Sequence, residues 1–83
     1  MTQWKNFIGC DPAICHGKPC FKINGKLSRI MTYLVLEMLE AKENFDDIIK
    51  AYPQLTSDHI KAVLRYAAEM MKTGEMISLA KLA

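Results

Sequence analysis

Hydrophobic positions repeat with helical spacing in two stretches of residues 44–68, one on each side of Pro53. A repeat at i, i+3, i+4 and i+7 places apolar side chains on one face of a helix. In the first stretch these residues are Phe45, Ile48, Ile49 and Tyr52, and in the second they are Ile60, Val63, Leu64, Ala67 and Met71. The pattern predicts two amphipathic helices joined by a short turn, the arrangement of a helix-turn-helix.

The ends of both predicted helices carry suitable residues. Asn44 precedes the first helix and can accept a backbone N–H that the first turn leaves unpaired. The two aspartates that follow soon after it place negative charge at the positive end of the helix dipole. Pro53 biases Tyr52 out of the helical conformation, so the first helix should end there. Thr56 is in position to cap the second helix.

A further helix is predicted before this pair, over residues 30–42. Its inward face would hold Ile30, Met31, Leu34, Val35, Met38 and Leu39. Tyr33 and Leu36 lie outside that face, so the helix is apolar over more than one side. A small domain with two apolar faces on one helix favours a homodimer, with the second face as the contact.

Residues 20–23 and 26–29 are predicted to form a β-hairpin because they flank Asn24-Gly25. A two-residue type I′ turn needs positive φ at both central residues, which Asn-Gly supplies. Residues 1–19 should be irregular or short extended structure. Their apolar residues Trp4, Phe7 and Ile8 are expected to pack on the helices or to cross onto a second subunit.

These elements predict a mainly α fold, with a three-helix core preceded by a β-hairpin, in a single domain of 83 residues. Residues 1–29 would form the extended segment and hairpin, residues 30–72 the helical core and residues 73–83 a tail. The tail is rich in apolar residues, and two structures suit it: a short final helix on the same core, or a segment that orders against a partner.

The formal net charge is +2, but the charge is unevenly distributed. Residues 1–32 hold five basic groups and one acidic group, whereas residues 33–72 hold five basic and seven acidic groups. Attraction for nucleic acid should therefore lie at the front of the chain. The candidate DNA contacts are three hairpin residues and three residues on the outward side of the last helix: Lys22, Lys26, Arg29, Ser57, Lys61 and Arg65. Asp58 and Glu69 share that outward side and would repel phosphate.

Apolar residues outside the predicted core stripes are candidate partner contacts. They are Tyr33, Leu36, Tyr66, Met70, Ile77 and Leu79. Tyr66 and Met70 belong to a semi-apolar strip that begins at His59, and packing on the core or on a partner explains that strip better than contact with bases.

Cys10, Cys15, His16 and Cys20 form a C-x4-C-H-x3-C cluster. Thiolates and imidazole are zinc ligands, but zinc knuckles use cysteine pairs split between two separate elements. We therefore expect no metal and reduced, free thiols. His59 is the only other histidine, and no motif joins a histidine to a thiol and a carboxylate. The sequence thus predicts a protein with no catalytic residues and no cofactor, not an enzyme.

No apolar run approaches the roughly 20 residues that a membrane span needs. The opening residues also lack the charged start and apolar run of a signal peptide. We expect a cytoplasmic protein, in which the three cysteines would be reduced.

Several segments of the chain match a known family pattern. They are Ile8-Gly9-Cys10-Asp11-Pro12, Gly17-Lys18-Pro19, Arg29-Ile30, residues 45–49, residues 52–56, residues 58–60 and residues 64–68. The sequence resembles the prokaryotic domain-of-unknown-function family 433, whose members resemble antitoxins of toxin–antitoxin pairs. The resemblance implies a homeodomain-like helix-turn-helix with a β element before it, usually dimeric. It also implies a partner, a PIN-like nuclease toxin encoded by a neighbouring gene.

Two positions depart from the family pattern. The family usually has Gly-Thr-Arg after its Gly-x-Pro strand, and here only Arg29 matches, behind an insertion that lengthens the hairpin. The usual glycine after the first helix is replaced around Lys42. These differences bear on the strand register and leave three hypotheses open. The first is a dimeric antitoxin-type protein that binds operator DNA, a PIN-like toxin or both, and the second is a protein–protein interaction module that has lost DNA binding. The third, a metal- or thiol-based redox protein, rests only on the cysteine and histidine cluster.

Overall fold

The computed structural model describes residues 3–73, in which a sheet is followed by three helices. Strands β1 (Ile8–Gly9), β2 (Cys20–Ile23) and β3 (Lys26–Met31) form an antiparallel sheet in the order β1-β2-β3. Asn24 and Gly25 join β2 to β3 with φ values of 53° and 78°. The hairpin predicted from Asn-Gly is thus confirmed, with both turn residues in the left-handed region.

The hairpin contains an irregularity on β3. Lys22 pairs with Leu27, but Cys20 pairs with Met31, so two steps along β2 span four along β3. The Ser28 hydroxyl fills the gap, since it donates to the Phe21 carbonyl at 2.8 Å and accepts the Ile30 N–H at 3.1 Å. A bulge of this kind bends a strand and redirects its side chains.

The helices are α1 (Tyr33–Glu40), α2 (Phe45–Ala51) and α3 (Ser57–Thr73). The start of α2 has the predicted cap: the Asn44 side chain accepts the Asp47 N–H at 2.9 Å. Asp47 returns the interaction by accepting the Asn44 N–H at 3.0 Å, which completes a capping box. The first helix of the pair ends at Ala51, next to Tyr52 and Pro53 as the sequence predicts.

The core lies between the sheet and the helices. Its fully buried side chains come from every layer: Ile8, Phe21, Val35, Ile48, Leu55, Ile60, Ala62 and Val63. Trp4 and Phe7 pack against this core from the N-terminal segment, so the expectation that they contact the helices is confirmed within one chain. Helix α3 packs on α1, on α2, on β1 and on the 3-10 turn Trp4–Asn6, and it is the element that holds the layers together.

The mainly α, three-helix homeodomain-like fold class is wrong. Over residues 3–73 the fold is mixed, and a three-stranded antiparallel sheet precedes three helices. The prediction omitted β1, which pairs with β2 through Ile8 opposite Phe21 and Gly9 opposite Cys20. Phe21 and Cys20 are fully buried, so the sheet supplies part of the core. The short C-terminal helix predicted in the tail lies outside the described residues.

Two other local predictions are wrong. Ile30 and Met31 do not begin α1, because the bulge extends β3 through them and the helix starts at Tyr33. On α3, Leu64 and Met71 are not buried: their side chains are 43% and 71% exposed. The helix is rotated so that His59 and Ala62 face inward beside Ile60 and Val63.

Candidate functional site

His59, on the first turn of α3, connects that helix to the hairpin. Its Nδ1 accepts the Thr56 N–H at 3.1 Å, and its Nε2 lies 2.8 Å from the main-chain carbonyl oxygen of Lys22. Because the Thr56 amide can only donate, Nδ1 is the unprotonated nitrogen and Nε2 carries the hydrogen that it donates to Lys22. The hairpin that bears the candidate basic residues is therefore fixed to the beginning of the helix that bears the others.

Apolar contacts hold the imidazole in this orientation. Phe7 and Phe21 meet it edge-on, with ring centroids 5.0 Å and 5.7 Å away. The side chain is buried, and both ring nitrogens have partners. A buried polar group costs little free energy when its hydrogen bonds are made, so this histidine joins two elements without destabilising the core.

Sequence reasoning placed His59 in a semi-apolar strip and missed this role. The signal that could have indicated half of it is the spacing Thr56-x-x-His59. In a capping box, a side chain three residues after the cap accepts the backbone N–H of the cap residue. Here the imidazole of His59 does so, and the Thr56 hydroxyl lies 2.9 Å from the same Nδ1. The other half, the bond to Lys22, is long-range and has no local signature.

The three basic candidates on the hairpin differ in how available their side chains are to a ligand. Lys22 is half-buried, and its Nζ donates to the Lys5 carbonyl at 3.1 Å. Its stem crosses Gly9, where an added Cβ would lie 2.9 Å from the Lys22 Cε. Lys26 and Arg29 are exposed, and Arg29 lies within the bulge of β3. Lys26 and Arg29 are consequently the hairpin cations most available to a ligand.

The three candidates on α3 follow one another at four-residue spacing. Ser57 and Lys61 are exposed and Arg65 is half-buried. Asp58 and Glu69, which are also exposed, lie on the same helix. Helix α3 therefore presents both signs of charge, and the hairpin supplies cations without an acidic residue of its own.

The candidate partner residues fall in two places. Tyr33 and Leu36 are exposed on α1, and the Lys18 ammonium lies 5.6 Å from the centroid of the Tyr33 ring. Tyr66 is half-buried on α3, with its ring 4.9 Å from that of Trp4 and tilted by 43°. Half-buried Met70 lies one turn further along. Ile77 and Leu79 lie outside the described residues.

Tyr66 and Met70 line a groove of about 430 Å³ between α3 and the N-terminal segment. Its other lining residues are Trp4, Lys5, Glu69 and Thr73. The groove combines two aromatic rings with one cation and one anion, and it is the place where the candidate contacts on α3 approach the start of the chain.

The cysteines occupy three different environments. Cys10 is exposed, Cys15 is half-buried and Cys20 is fully buried on β2. Burial raises the pKa of the Cys20 thiol to about 12, with a further contribution from the neighbouring Cys15. Within residues 3–73, no three histidine, cysteine or acidic side chains are arranged to hold a metal ion.

No helix within residues 3–73 combines the length and the apolar character needed to cross a membrane.

Comparison with curated proteins gave no match, and comparison with solved structures gave none. The sequence model of the family described as "Protein of unknown function (DUF433)" matches residues 8–67. That stretch begins at the first residue of β1, includes the whole sheet, α1, α2 and His59, and ends within α3. The chain therefore belongs to the DUF433 family.

Proposed function

We propose that this protein is a dimeric, cytoplasmic binding protein of the antitoxin type, with no enzymatic activity. It would contact operator DNA through the hairpin and the outward side of α3, bind a PIN-like nuclease toxin, or do both. The sequence resemblance described above suggests this class of function, and the arrangement of basic residues on the surface supports the DNA part of it.

The observation that carries the proposal is the hydrogen bond from His59 Nε2 to the Lys22 carbonyl. It fixes exposed hairpin cations and the first turn of α3 in one rigid unit. When a ligand spans both elements, the protein then loses little conformational entropy on binding, and this smaller cost favours affinity. Lys26 and Arg29 would contact phosphates, and Ser57 and Lys61 would contact the DNA further along the duplex.

A single copy offers few cations, because Lys22 is partly committed to Lys5 and α3 carries Asp58 and Glu69. Two copies would double the number of phosphate contacts and raise the affinity accordingly. The homodimer is therefore part of the proposal, with exposed Tyr33 and Leu36 on α1 as its candidate contact.

The test is fluorescence anisotropy with labelled DNA from the protein's own promoter, over a range of salt concentrations. Each phosphate contact contributes about −0.9 to the slope of log affinity against log salt for duplex DNA. We expect the double variant Lys26→Ala/Arg29→Ala to bind more weakly. Its slope of log affinity against log salt should be shallower by the contribution of about two phosphate contacts. Lys50→Ala, which removes an exposed cation from α2, is the matched control and should bind as the wild type does. Binding that is absent at low salt, or that is indifferent to salt, contradicts the DNA part of the proposal.

The second candidate function is a protein–protein interaction module that has lost DNA binding. The observation that favours it is the number of large apolar side chains exposed on two helices: Tyr33, Leu36, Leu64 and Met71. The acidic residues Asp58 and Glu69 on α3 also favour this function, because they would repel the phosphates of DNA. Recovery of one partner at a fixed stoichiometry, together with no anisotropy change on promoter DNA, would favour this function over the first.

A further inference from the structure

The groove between α3 and the N-terminal segment follows the end of the helix. Tyr66, Met70 and Thr73 line it at spacings of four and three residues, so they lie on one face of α3. Trp4 closes the end beside Tyr66, and the centroids of their rings are 4.9 Å apart. Thr73 lies at the other end and is the last residue that the structure describes. The groove therefore leads to the point where residues 74–83 begin.

The groove has apolar walls and a charged rim. Trp4 and Met70 are half-buried, whereas Lys5, Glu69 and Thr73 are exposed. Pockets for small molecules usually hold a few polar groups in fixed positions within an apolar enclosure. Here the polar groups lie at the surface, so the groove suits the apolar side chains of a polypeptide segment better than it suits a small polar molecule.

Residues 74–83 supply such a segment. Their large apolar residues are Met76, Ile77, Leu79 and Leu82. They also carry one acidic and one basic residue, so they bring no net charge to a groove that holds one of each. Because the segment is joined to a residue of the groove, its effective concentration there is on the order of millimolar. Modest apolar contacts are then enough to hold it, which favours this segment over a separate chain.

The segment is long enough to reach the far end of the groove. Tyr66 and Thr73 are separated by about 10 Å along the axis of α3. An extended chain advances about 3.3 Å per residue, so roughly three or four residues cover that distance. Gly74 permits the reversal of direction, because glycine readily adopts the left-handed conformation that turns a chain after a helix. A chain that turns back there brings residues 77–79 beside Trp4.

We propose that residues 75–79 pack in this groove of their own chain, extended along α3, with Ile77 and Leu79 against the rings of Trp4 and Tyr66. Side chains two residues apart in an extended segment lie on the same side, so both can face the rings. The contact covers the Trp4 indole. It does not depend on the proposed binding of DNA or of a toxin, and a partner that binds Ile77 and Leu79 has to displace them from the groove.

Nuclear magnetic resonance of the full chain tests the contact directly. Trp4 is the only tryptophan in the sequence, so its indole signals are unambiguous. With ¹³C-labelled methyl groups, we expect nuclear Overhauser effects between the indole protons and the methyl groups of Ile77 and Leu79. A mixture of labelled and unlabelled chains, measured with an isotope filter, separates contacts within one chain from contacts between chains. Effects that are absent, or that appear only between different chains, overturn the proposal.

Fluorescence of Trp4 gives an independent measurement. In the variant Ile77→Asp/Leu79→Asp, we expect the emission to shift to longer wavelength and acrylamide to quench it more strongly, because water reaches the indole. The control Ala13→Asp/Gln54→Asp adds the same charge at two exposed positions that do not line the groove, and its emission should match the wild type. Far-ultraviolet circular dichroism verifies that both variants are folded. A folded Ile77→Asp/Leu79→Asp variant with the emission and quenching of the wild type overturns the proposal.

Discussion

His59 Nε2 donates to the main-chain carbonyl oxygen of Lys22 at 2.8 Å, across 37 positions of the chain. The same ring accepts the Thr56 N–H, so one side chain satisfies a carbonyl of β2 and an amide at the start of α3. The imidazole thus gives hydrogen-bond partners to two main-chain groups at once, in the partly buried contact between β2 and the start of α3.

Replacing His59 should separate its packing from its hydrogen bonds. His59→Ala removes both, and we expect the free energy of unfolding to fall by about 2–4 kcal/mol. His59→Leu keeps apolar volume against Phe7 and Phe21 but leaves the Lys22 carbonyl and the Thr56 amide unpaired, and should cost about 1–3 kcal/mol. Urea denaturation measures both. A His59→Leu variant as stable as the wild type would show that the two hydrogen bonds contribute nothing.

The features that the sequence predicts correctly are those determined locally. The turn at Asn24-Gly25 depends on the φ preferences of two residues, and the cap at Asn44 depends on a side chain three residues from its partner. Neither needs knowledge of the rest of the chain. The ends of α2 could be predicted for the same reason.

The features that fail depend on distant contacts. Ile30 and Met31 suit a helix as well as a strand, and pairing with β2 decides for the strand. On α3 two adjacent faces are both partly apolar, one through Leu64 and the other through His59. Packing against β1 and the 3-10 turn Trp4–Asn6 selects the second face, and periodicity alone cannot show that. The basic residues of the candidate site were identified from charge, but the bond that unites them was not.

The rotation of α3 predicts opposite outcomes for two adjacent residues. Val63 is 1% exposed and Leu64 is 43% exposed. We expect Val63→Ala to lower the free energy of unfolding by about 2 kcal/mol, because it leaves a cavity in the core. Leu64→Ala should change it by roughly 0.5 kcal/mol or less, as surface substitutions usually do. Denaturation at two protein concentrations checks this: a large loss at Leu64 that depends on concentration would place it in a contact between subunits.

Cys20 should make the protein less stable in alkaline solution. Folding raises the pKa of its thiol from the ordinary value of 9.0 to about 12, chiefly through burial. Between these values the unfolded chain loses the proton and the folded chain keeps it, so the unfolded state binds fewer protons. The thiol's contribution is therefore fully present below pH 9 and is lost as the pH rises toward 12, by about 1 kcal/mol for each pH unit.

The comparison that isolates this effect is wild type against Cys20→Ala, in reductant, from pH 8 to pH 11. Cys20→Ala should have a lower free energy of unfolding than the wild type below pH 9, because packing is lost. Above pH 9 its free energy of unfolding should fall less steeply with pH than that of the wild type. Every other ionisable group is present in both proteins, so the difference between the two curves reports on Cys20. Parallel curves for the two proteins would mean that the folded state does not protect the thiol.

A substitution at Lys42, just after the end of α1, should stabilise the protein. The Glu43 N–H donates to the Met38 carbonyl and the Lys42 N–H to the Leu39 carbonyl, both at 3.0 Å, which is the Schellman pattern. Lys42 occupies the left-handed position of this motif with φ of 69°. A lysine there is strained by its Cβ, whereas glycine is not.

Lys42→Gly should therefore raise the free energy of unfolding by roughly 0.5–1 kcal/mol. This gain is the strain energy relieved in the folded state, minus the entropic cost of the greater conformational freedom that glycine has in the unfolded chain. Lys42→Ala is the matched control, because it removes the same charge and keeps the Cβ, and it should give no gain. Thermal and urea denaturation of the three proteins measure the difference. If alanine and glycine stabilise equally, the cause is the charge of Lys42, since only glycine relieves the backbone. If glycine alone stabilises, α1 ends in a conformation that glycine adopts freely and that Lys42 maintains at a cost.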